Sequence, residues 1–451
     1  MIQLASGALP PEVKVAVCEP GSPPRDGWLR CELNRNIQFS TAALESYAFS
    51  RWETLIFDAM LVAASVEFTD LSCRRPSLGW SRRLSIRIPV DDPDRWEEPA
   101  AKDGLLEALE FVTGDHWSLS FFKRTGGLEH SGGDRFPLFP PSKAVLPYSE
   151  GVDSLAVAGL AKACLGDDVV RVRVGGVERA TNANGRPFVS VPYRVRATRH
   201  EPTAMNRGFK FAMISGLAAY LTGANKIIIP ESGQGALGPS LVSVGHAYYD
   251  YRNHPRFMRR MERFLAALLE QSIRYRFPRL WCTKGETLAR YVAIDGDETW
   301  RSTKSCWRDN RWSSVRGSWR HCGVCAACML RRVSVHAAGL SENPETYVCT
   351  DMSAATLASA VDPDFKHLND AYRDYAIAGV RHMDDLAEMA DVRARRIVRR
   401  HAASLRRVLR HTEDSEGHLI RLLERHAAEW KAYLNSLGAG SFVRNWIRGD
   451  R

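Results

Sequence analysis

A chain of 451 residues with 45% hydrophobic and 25% charged residues has the composition of a globular protein, long enough for roughly two to four domains, and is neither wholly disordered nor a disulfide-stapled miniprotein. Its longest apolar candidate, Ala212 to Ile229, is interrupted by Ser215, Gly216, Thr222, Gly223, Asn225 and Lys226. It falls short of the roughly 18–20 apolar residues of a bilayer span, so no membrane partner is expected. With 62 basic against 52 acidic residues the net charge is +10, which suits an anionic partner such as a nucleotide, a nucleic acid or an acidic protein. Met1 to Pro11 lack a basic start and an apolar core, so a reducing, cytoplasmic setting without disulfides is expected.

In chain order, Phe49 to Val66 reads as a helix, Arg82 to Val90 alternates as a strand, Leu105 to Val112 is a short helix and Trp117 to Lys123 a second strand. This predicts an amino-terminal α+β domain over 1–139, closed by the Gly/Pro-rich passage Gly126 to Pro141. From Lys143 the pattern becomes strand, turn, helix. Ala144 to Pro147 is an apolar strand, Leu155 to Cys164 a helix, Val169 to Val174 and Phe188 to Val195 strands, Phe209 to Thr222 a buried helix and Lys226 to Pro230 a strand. Such units predict an α/β domain over 140–300, a parallel sheet with helices on both faces and its ligand at the carboxyl ends of the strands. Helices are expected over Asp364 to Met389, Asp391 to His411 and Glu416 to Leu434, in an extension covering 341–451.

Between the first strand and helix of the α/β region lies Pro147-Tyr148-Ser149-Glu150-Gly151-Val152-Asp153-Ser154. Such a turn offers backbone N–H groups, two hydroxyls and a positive helix end to a phosphate, and Asp153 could orient Mg²⁺ on pyrophosphate. It lacks the glycine-lysine-threonine end of a Walker loop. An ordinary turn with a capped helix is the plain alternative, since Ser and Asp are favoured N-caps. Further on, Cys306, Cys322, Cys325 and Cys328 supply four thiolates, the last three at two-residue gaps. A closed tetrahedral Zn²⁺ over 301–340 would be structural, with no open position for chemistry. An iron–sulfur cluster or buried free thiols are the alternatives. His246, His254 and His321 show no spacing that marks them as ligands.

The turn resembles the signature Ser-Gly-Gly-X-Asp-Ser of the PP-loop, or N-type, ATP pyrophosphatases, departing from it at Glu150 where the family has glycine. A carboxylate there must turn away from the phosphates or sit on magnesium. The string Lys304-Ser305-Cys306-Trp307, then His321-Cys322-Gly323-Val324-Cys325-Ala326-Ala327-Cys328-Met329-Leu330-Arg331, resembles the zinc motif of the QueC family. QueC enzymes are PP-loop proteins that convert 7-carboxy-7-deazaguanine to its 7-cyano form. Asn206-Arg207-Gly208-Phe209, Thr283-Lys284-Gly285-Glu286 and Glu231-Ser232-Gly233-Gln234-Gly235 are similar to three further QueC segments, the last a polar substrate loop. A helix-start surface arginine, a solvated turn and a backbone role for Gly233 are the corresponding plain readings.

The resemblance covers residues 143 to 335. It implies ATP held by Ser149, Glu150, Gly151, Val152, Asp153 and Ser154, with Glu231 and Gly233 close by, and Asp153, Lys284 and Arg207 as catalytic residues. ATP, Mg²⁺ and Zn²⁺ are the implied cofactors. The implied reaction is adenylation of a carboxylate, 7-carboxy-7-deazaguanine or similar, followed by C–N ligation to an amide or nitrile. The added amino-terminal and carboxyl-terminal parts resemble enlarged QueC-like proteins of bacterial anti-phage operons, including the Qat systems and type IV CBASS. That implies a possible protein partner and a protein amine as acceptor. A tRNA-modifying PP-loop enzyme and a non-catalytic, zinc-stabilised partner-binding protein remain alternatives. Between Val392 and His411 there are eight arginines and no acid. This segment reads as an amphipathic helix packed on the body, its arginines solvated or paired with acids such as Asp384 and Glu388, in preference to a nucleic-acid-binding helix.

Overall fold

The computed structural model describes residues 11–42, 44, 53–76, 81–126, 141–175, 189–201, 204–245, 247–296, 298–308, 310–409 and 414–448. Almost all of the Gly126 to Pro141 passage, with His246 and His411, lies outside the described residues. In chain order the elements are β1 (Glu12–Cys18), β2 (Leu29–Glu32), β3 (Ile37–Phe39), α1 (Thr54–Ser72), β4 (Arg83–Val90), α2 (Pro93–Glu97), α3 (Pro99–Thr113), β5 (His116–Lys123), β6 (Ala144–Pro147), α4 (Val152–Leu165), β7 (Val169–Val174), β8 (Val189–Val191) and β9 (Tyr193–Val195). There follow α5 (Arg207–Leu221), β10 (Lys226–Ile228), α6 (Gly233–Leu241), α7 (Pro255–Leu269), β11 (Arg274–Arg276), α8 (Lys284–Asp295), β12 (Ser314–Val315), β13 (Ser318–Trp319), α9 (Ala326–Ala337), α10 (Leu357–Ala360), α11 (Asp370–Glu388), α12 (Arg395–Arg406), α13 (Ser415–Ser436) and α14 (Phe442–Arg448). The chain forms two compact units, one of Met1–Pro147, Asp167–Ile228 and Phe257–Arg276, the other of Tyr148–Gly166, Ile229–Arg256 and Phe277–Arg451. Among the described residues no helix is long and apolar enough to cross a membrane.

The fold is α/β, with parallel sheets flanked by helices and a helical carboxyl-terminal part. The first unit holds two parallel sheets. In the amino-terminal one, of order β2-β1-β4-β5, every pairing is parallel. The amino-terminal strands are therefore joined by crossovers rather than hairpins, and Val15, Val17, Ile86, Ile88 and Val90 are all buried, as a covered parallel sheet requires. α1 is apolar nearly all round and packs on β4 and α5. Gly104 in α3 allows a close approach, since a Cβ there would lie 3.0 Å from the Phe264 Cα of α7. Buried charges tie the unit together. Arg75 forks onto Asp115 at 2.8 and 3.0 Å, and Arg82 reaches Asp70 at 2.5 Å and Asp115 at 2.6 Å.

The second sheet has the order β11-β10-β6-β7-β8. Chain order reverses around β6, with β7 on one side and β10 on the other, so the strand order of this sheet has its topological switch point at β6. The strand expected over Phe188 to Val195 is two short ones: β8 pairs with β7, β9 pairs antiparallel with β3, and Pro192 stands between them. Phe188 itself lies outside the described residues.

The second unit is mainly helical. Cys322, Val324, Cys325, Cys328 and Met329 share a core with Tyr372, Val380, Trp430 and Tyr433. Val398, Ala402 and Leu405 of α12 join Leu386, Leu419, Leu422 and Leu423 in another. The arginine-rich segment opens with a 3₁₀ turn, Val392–Ala394, before α12. It packs as an amphipathic helix whose arginines meet acids: Arg399 meets Glu416 at 2.9 Å, Arg395 meets Glu424 at 3.7 Å and Arg393 meets Asp391 at 3.0 Å, with the Glu388 charge also acting on Arg393. Asp384 accepts the Trp430 indole N–H instead.

Candidate active site and metal centre

The turn after β6 leads into α4, whose N-cap is Gly151 in extended backbone with no side-chain cap. The first N–H groups of the helix thus keep their capacity for an anion. The Ser149 and Ser154 hydroxyls lie 2.8 Å apart, and Ser149 Oγ also accepts the Gly151 N–H. Glu150 turns to Lys304: the side chains pair at 3.1 Å and the Lys304 N–H donates to the Glu150 carbonyl at 2.7 Å.

Asp153, one residue into α4, is buried, and its Oδ2 lies 2.5 Å from the Lys284 ammonium. Its other oxygen, Oδ1, is buried with no hydrogen-bond partner. Glu231, three residues beyond β10, is the next carboxylate. Burial and then the Asp153 charge push its pKa up to about 8, so it carries a proton at neutral pH. Asn253 Nδ2 donates to it at 3.1 Å, and Arg252 pairs with Asp250 at 2.5 Å in the same loop. Asp250, Arg252 and Asn253 were not singled out by sequence; the run Asp250-Tyr251-Arg252-Asn253 just before α7 was the available signal.

Lys284 opens α8 behind a capping box, in which the Thr283 hydroxyl accepts the Glu286 N–H and the Glu286 carboxylate accepts the Thr283 N–H. The Lys284 N–H donates to Gln234 Oε1 at 2.7 Å. Gly233 serves the backbone: its N–H is taken by the Cys282 carbonyl, and a Cβ would lie 2.2 Å from the Leu280 carbonyl oxygen. Val152 is buried with Ala156, Leu288 and Tyr291 in the core under the turn. Arg207 belongs to the other unit, at the first residue of α5 with its guanidinium over Phe211. Asp153, Glu231 and Lys284 therefore form one cluster, and Arg207 is placed by its own helix.

The Sγ atoms of Cys306, Cys322, Cys325 and Cys328 all lie within 4.8 Å of one another, with Cys322 and Cys328 at 3.8 Å. A tetrahedron of sulfurs about 2.3 Å from zinc has edges of about 3.8 Å, so the cluster fits that ion. Backbone N–H groups of Arg308 and Cys322 reach Cys306 Sγ, and that of Cys325 reaches Cys322 Sγ, each at 3.3 Å. This is the donor pattern that supports thiolates. The β12–β13 hairpin turns through Arg316 and Gly317, both at positive φ, which suits a two-residue hairpin. Arg331, fully buried, ties α9 to Glu342 and to the Thr303 and Trp300 carbonyls. His321 accepts the Ser305 N–H and is held neutral by burial, its pKa lowered to about 4. His254 Nδ1 accepts the Arg256 N–H.

Residues 235–339 match the family model described as Queuosine biosynthesis protein QueC. This span, about a quarter of the 451 residues, contains Lys284 and all four clustered cysteines, and this region of the chain is QueC-like. No curated protein matches the chain.

Proposed function

We infer that the protein is an ATP-dependent enzyme of the QueC type, which adenylates the carboxylate of 7-carboxy-7-deazaguanine or a similar acid and passes it to an amine as an amide or nitrile. The observation that carries this reading is the buried Lys284–Asp153 pair, 2.5 Å apart. It joins the phosphate turn to the QueC-like region, two features that lie far apart in sequence.

A carboxylate at neutral pH resists nucleophiles because of its charge. Attack of its oxygen on the α-phosphorus of ATP forms an acyl adenylate and breaks the bond to pyrophosphate; an amine then displaces AMP to give the amide. Where the amine is ammonia, a second ATP can adenylate the amide oxygen, which leaves with AMP as the nitrile forms. The turn binds the phosphates through the helix start and the Ser149 and Ser154 hydroxyls. The Lys284 ammonium lies where negative charge develops and is held there in advance. Asp153, through its unpaired Oδ1, and Glu231, once the charge of the cation has displaced its proton, would hold Mg²⁺, which supplies neutralisation of pyrophosphate charge. Cys306, Cys322, Cys325 and Cys328 would hold Zn²⁺ with all four positions taken by thiolates, which would leave it to serve the fold. The enlarged form of the resemblance supports a setting in bacterial anti-phage defence, with a protein amine as alternative acceptor.

The test is to incubate the full chain with ATP, 7-carboxy-7-deazaguanine and ammonia, then measure pyrophosphate and product mass. Acid-dependent pyrophosphate release with a product of amide or nitrile mass is expected. No release under any of these conditions overturns the reading.

A further inference from the structure

The carboxyl-terminal helices lie beyond the QueC-like span, yet α13 reaches the start of α8. Gln234 Oε1 accepts the Lys284 N–H, which leaves its Nε2 facing His426 Nδ1 at 2.8 Å and Glu429 Oε2 at 3.3 Å. His426 Nε2 lies 2.9 Å from the Met383 carbonyl of α11. That bond fixes the Nε2–H tautomer and leaves Nδ1 as the acceptor that Gln234 needs. Glu429 Oε1 accepts the Thr283 hydroxyl. Every donor faces an acceptor, so the amide orientation of Gln234 is uniquely determined.

Close packing repeats the message. A Cβ on Gly285 would lie 3.1 Å from Glu429 Oε1, and one on Gly233 would lie 2.5 Å from Leu422 of α13. Gln234, Thr283 and His426 are all buried. Glycine at 233 and 285 leaves room for Leu280 and Ala337 and, behind them, for α13 on both sides of the Lys284 turn.

We propose that α13 is a positioning element of the candidate active site, in which His426 and Glu429 hold Gln234 and Thr283 so that Lys284 is presented to Asp153. The catalytic part of this statement rests on the proposed function; the clamp itself rests on the hydrogen bonds alone. Glu429 and His426 act through Gln234 and Thr283 on the backbone that carries Lys284.

The experiment uses full-length Glu429→Ala, Glu429→Gln and His426→Ala variants, with zinc content and thermal unfolding as controls for folding. Pyrophosphate release should lose about ten- to a hundredfold in kcat in the alanine variants while KM for ATP changes less than about threefold, as a displaced catalytic group predicts. Glu429→Gln, which keeps an acceptor for Thr283, should recover part of that loss. Hydrogen exchange of the segment 283–286 should accelerate in the alanine variants and less in Glu429→Gln. Unchanged kcat together with unchanged exchange in folded, zinc-loaded Glu429→Ala and Glu429→Gln would overturn the proposal. If wild-type protein releases no pyrophosphate, the proposed function fails, and the exchange arm alone decides whether the clamp exists.

Discussion

Two charge clusters, one in each unit, both set carboxylates beside basic side chains, arginines in the first and a lysine in the second, and end in opposite states. In the first, both oxygens of Asp115 are filled by Arg75, Arg82 and the Arg82 N–H, and both oxygens of Asp70 are filled by Arg82 and the Asn206 N–H. In the second, Asp153 has one oxygen on Lys284 and one with no partner, and Glu231 beside it holds its proton up to about 8. A buried carboxylate whose acceptors are all used does structural work. One left incomplete retains capacity for a ligand, at a cost in stability that folding elsewhere offsets.

The cysteine cluster is the most complete assembly of all and gives the largest expected effect. Cys325→Ser should lose bound zinc and soluble protein together, because zinc held by four thiolates is worth on the order of 10 kcal/mol to a fold that closes around it. Metal analysis of the purified chain should find one zinc in the wild type. Iron with visible absorbance would move the centre to another class.

Next come the two charge clusters themselves, perturbed in parallel. Asp115→Ala leaves two buried guanidinium groups short of their carboxylate and should cost about 3–5 kcal/mol in denaturant unfolding. Lys284→Ala should reverse the pattern. It removes the positive group at the developing charge, a loss of about two to three orders of magnitude in kcat for pyrophosphate release, and costs less stability than Asp115→Ala, because it leaves one buried carboxylate unpaired, which can take up a proton, in place of two buried guanidinium groups. If Asp115→Ala and Lys284→Ala affected stability and turnover alike, the distinction between filled and unfilled carboxylates would fail.

A pH titration sharpens the contrast. Unfolded, Glu231 releases its proton near 4.5; folded, it keeps it to about 8. Between these values the folded state binds the extra proton, so the contribution of this group to stability is fully present below about 4.5 and is lost as pH rises through 8. Glu429, raised to about 7 by burial, and Asp58, also raised to about 7 by burial, act with the same sign. Glu231→Gln should flatten the fall in stability between neutrality and pH 8.5 relative to wild type. An unchanged slope would place the Glu231 carboxyl in a wetter environment than its neighbours imply.

How far the sequence carries these clusters depends on the distance between partners. β6 and β7 were legible to the residue, at Ala144–Pro147 and Val169–Val174, because short apolar or β-branched runs bounded by turn residues have few other uses. β1 has no counterpart among the elements expected from sequence although Val13, Val15 and Val17 alternate, and nothing local marks β4, some seventy residues on, as its neighbour. Ser149 and Asp153 were legible from the turn and the cysteines from their spacing. Lys284 came from resemblance, and geometry shows that its partner is Asp153. Gln234–His426 and Gln234–Glu429 span 192 and 195 residues. Nothing in Leu423 to Trp430 distinguishes those two polar residues from the others along an amphipathic helix.

The smallest effect expected is at Glu150, and its size separates charge placed in the cradle from charge placed beside it. Glycine at this position in the resembling signature suggests that a carboxylate would repel the phosphates. Here it is paired with Lys304 at 3.1 Å, with side chains 35% and 55% exposed, and the backbone of the turn is fixed independently by the Lys304 N–H on the Glu150 carbonyl. A pair this open to water contributes about 0–1 kcal/mol and is screened by salt. Glu150→Gly removes that pair while keeping the carbonyl acceptor, so it should change stability by less than about 1 kcal/mol. It should leave pyrophosphate release intact or modestly raised, most visibly at low ionic strength, where the residual field of an exposed carboxylate reaches furthest. Lys304→Ala tests the other half: it frees Glu150 from its partner and should raise KM for ATP, with recovery in the double variant. A large loss of activity in Glu150→Gly itself would show that the carboxylate takes part in holding the nucleotide or its metal, and the incomplete cluster would then extend from Asp153 into the turn.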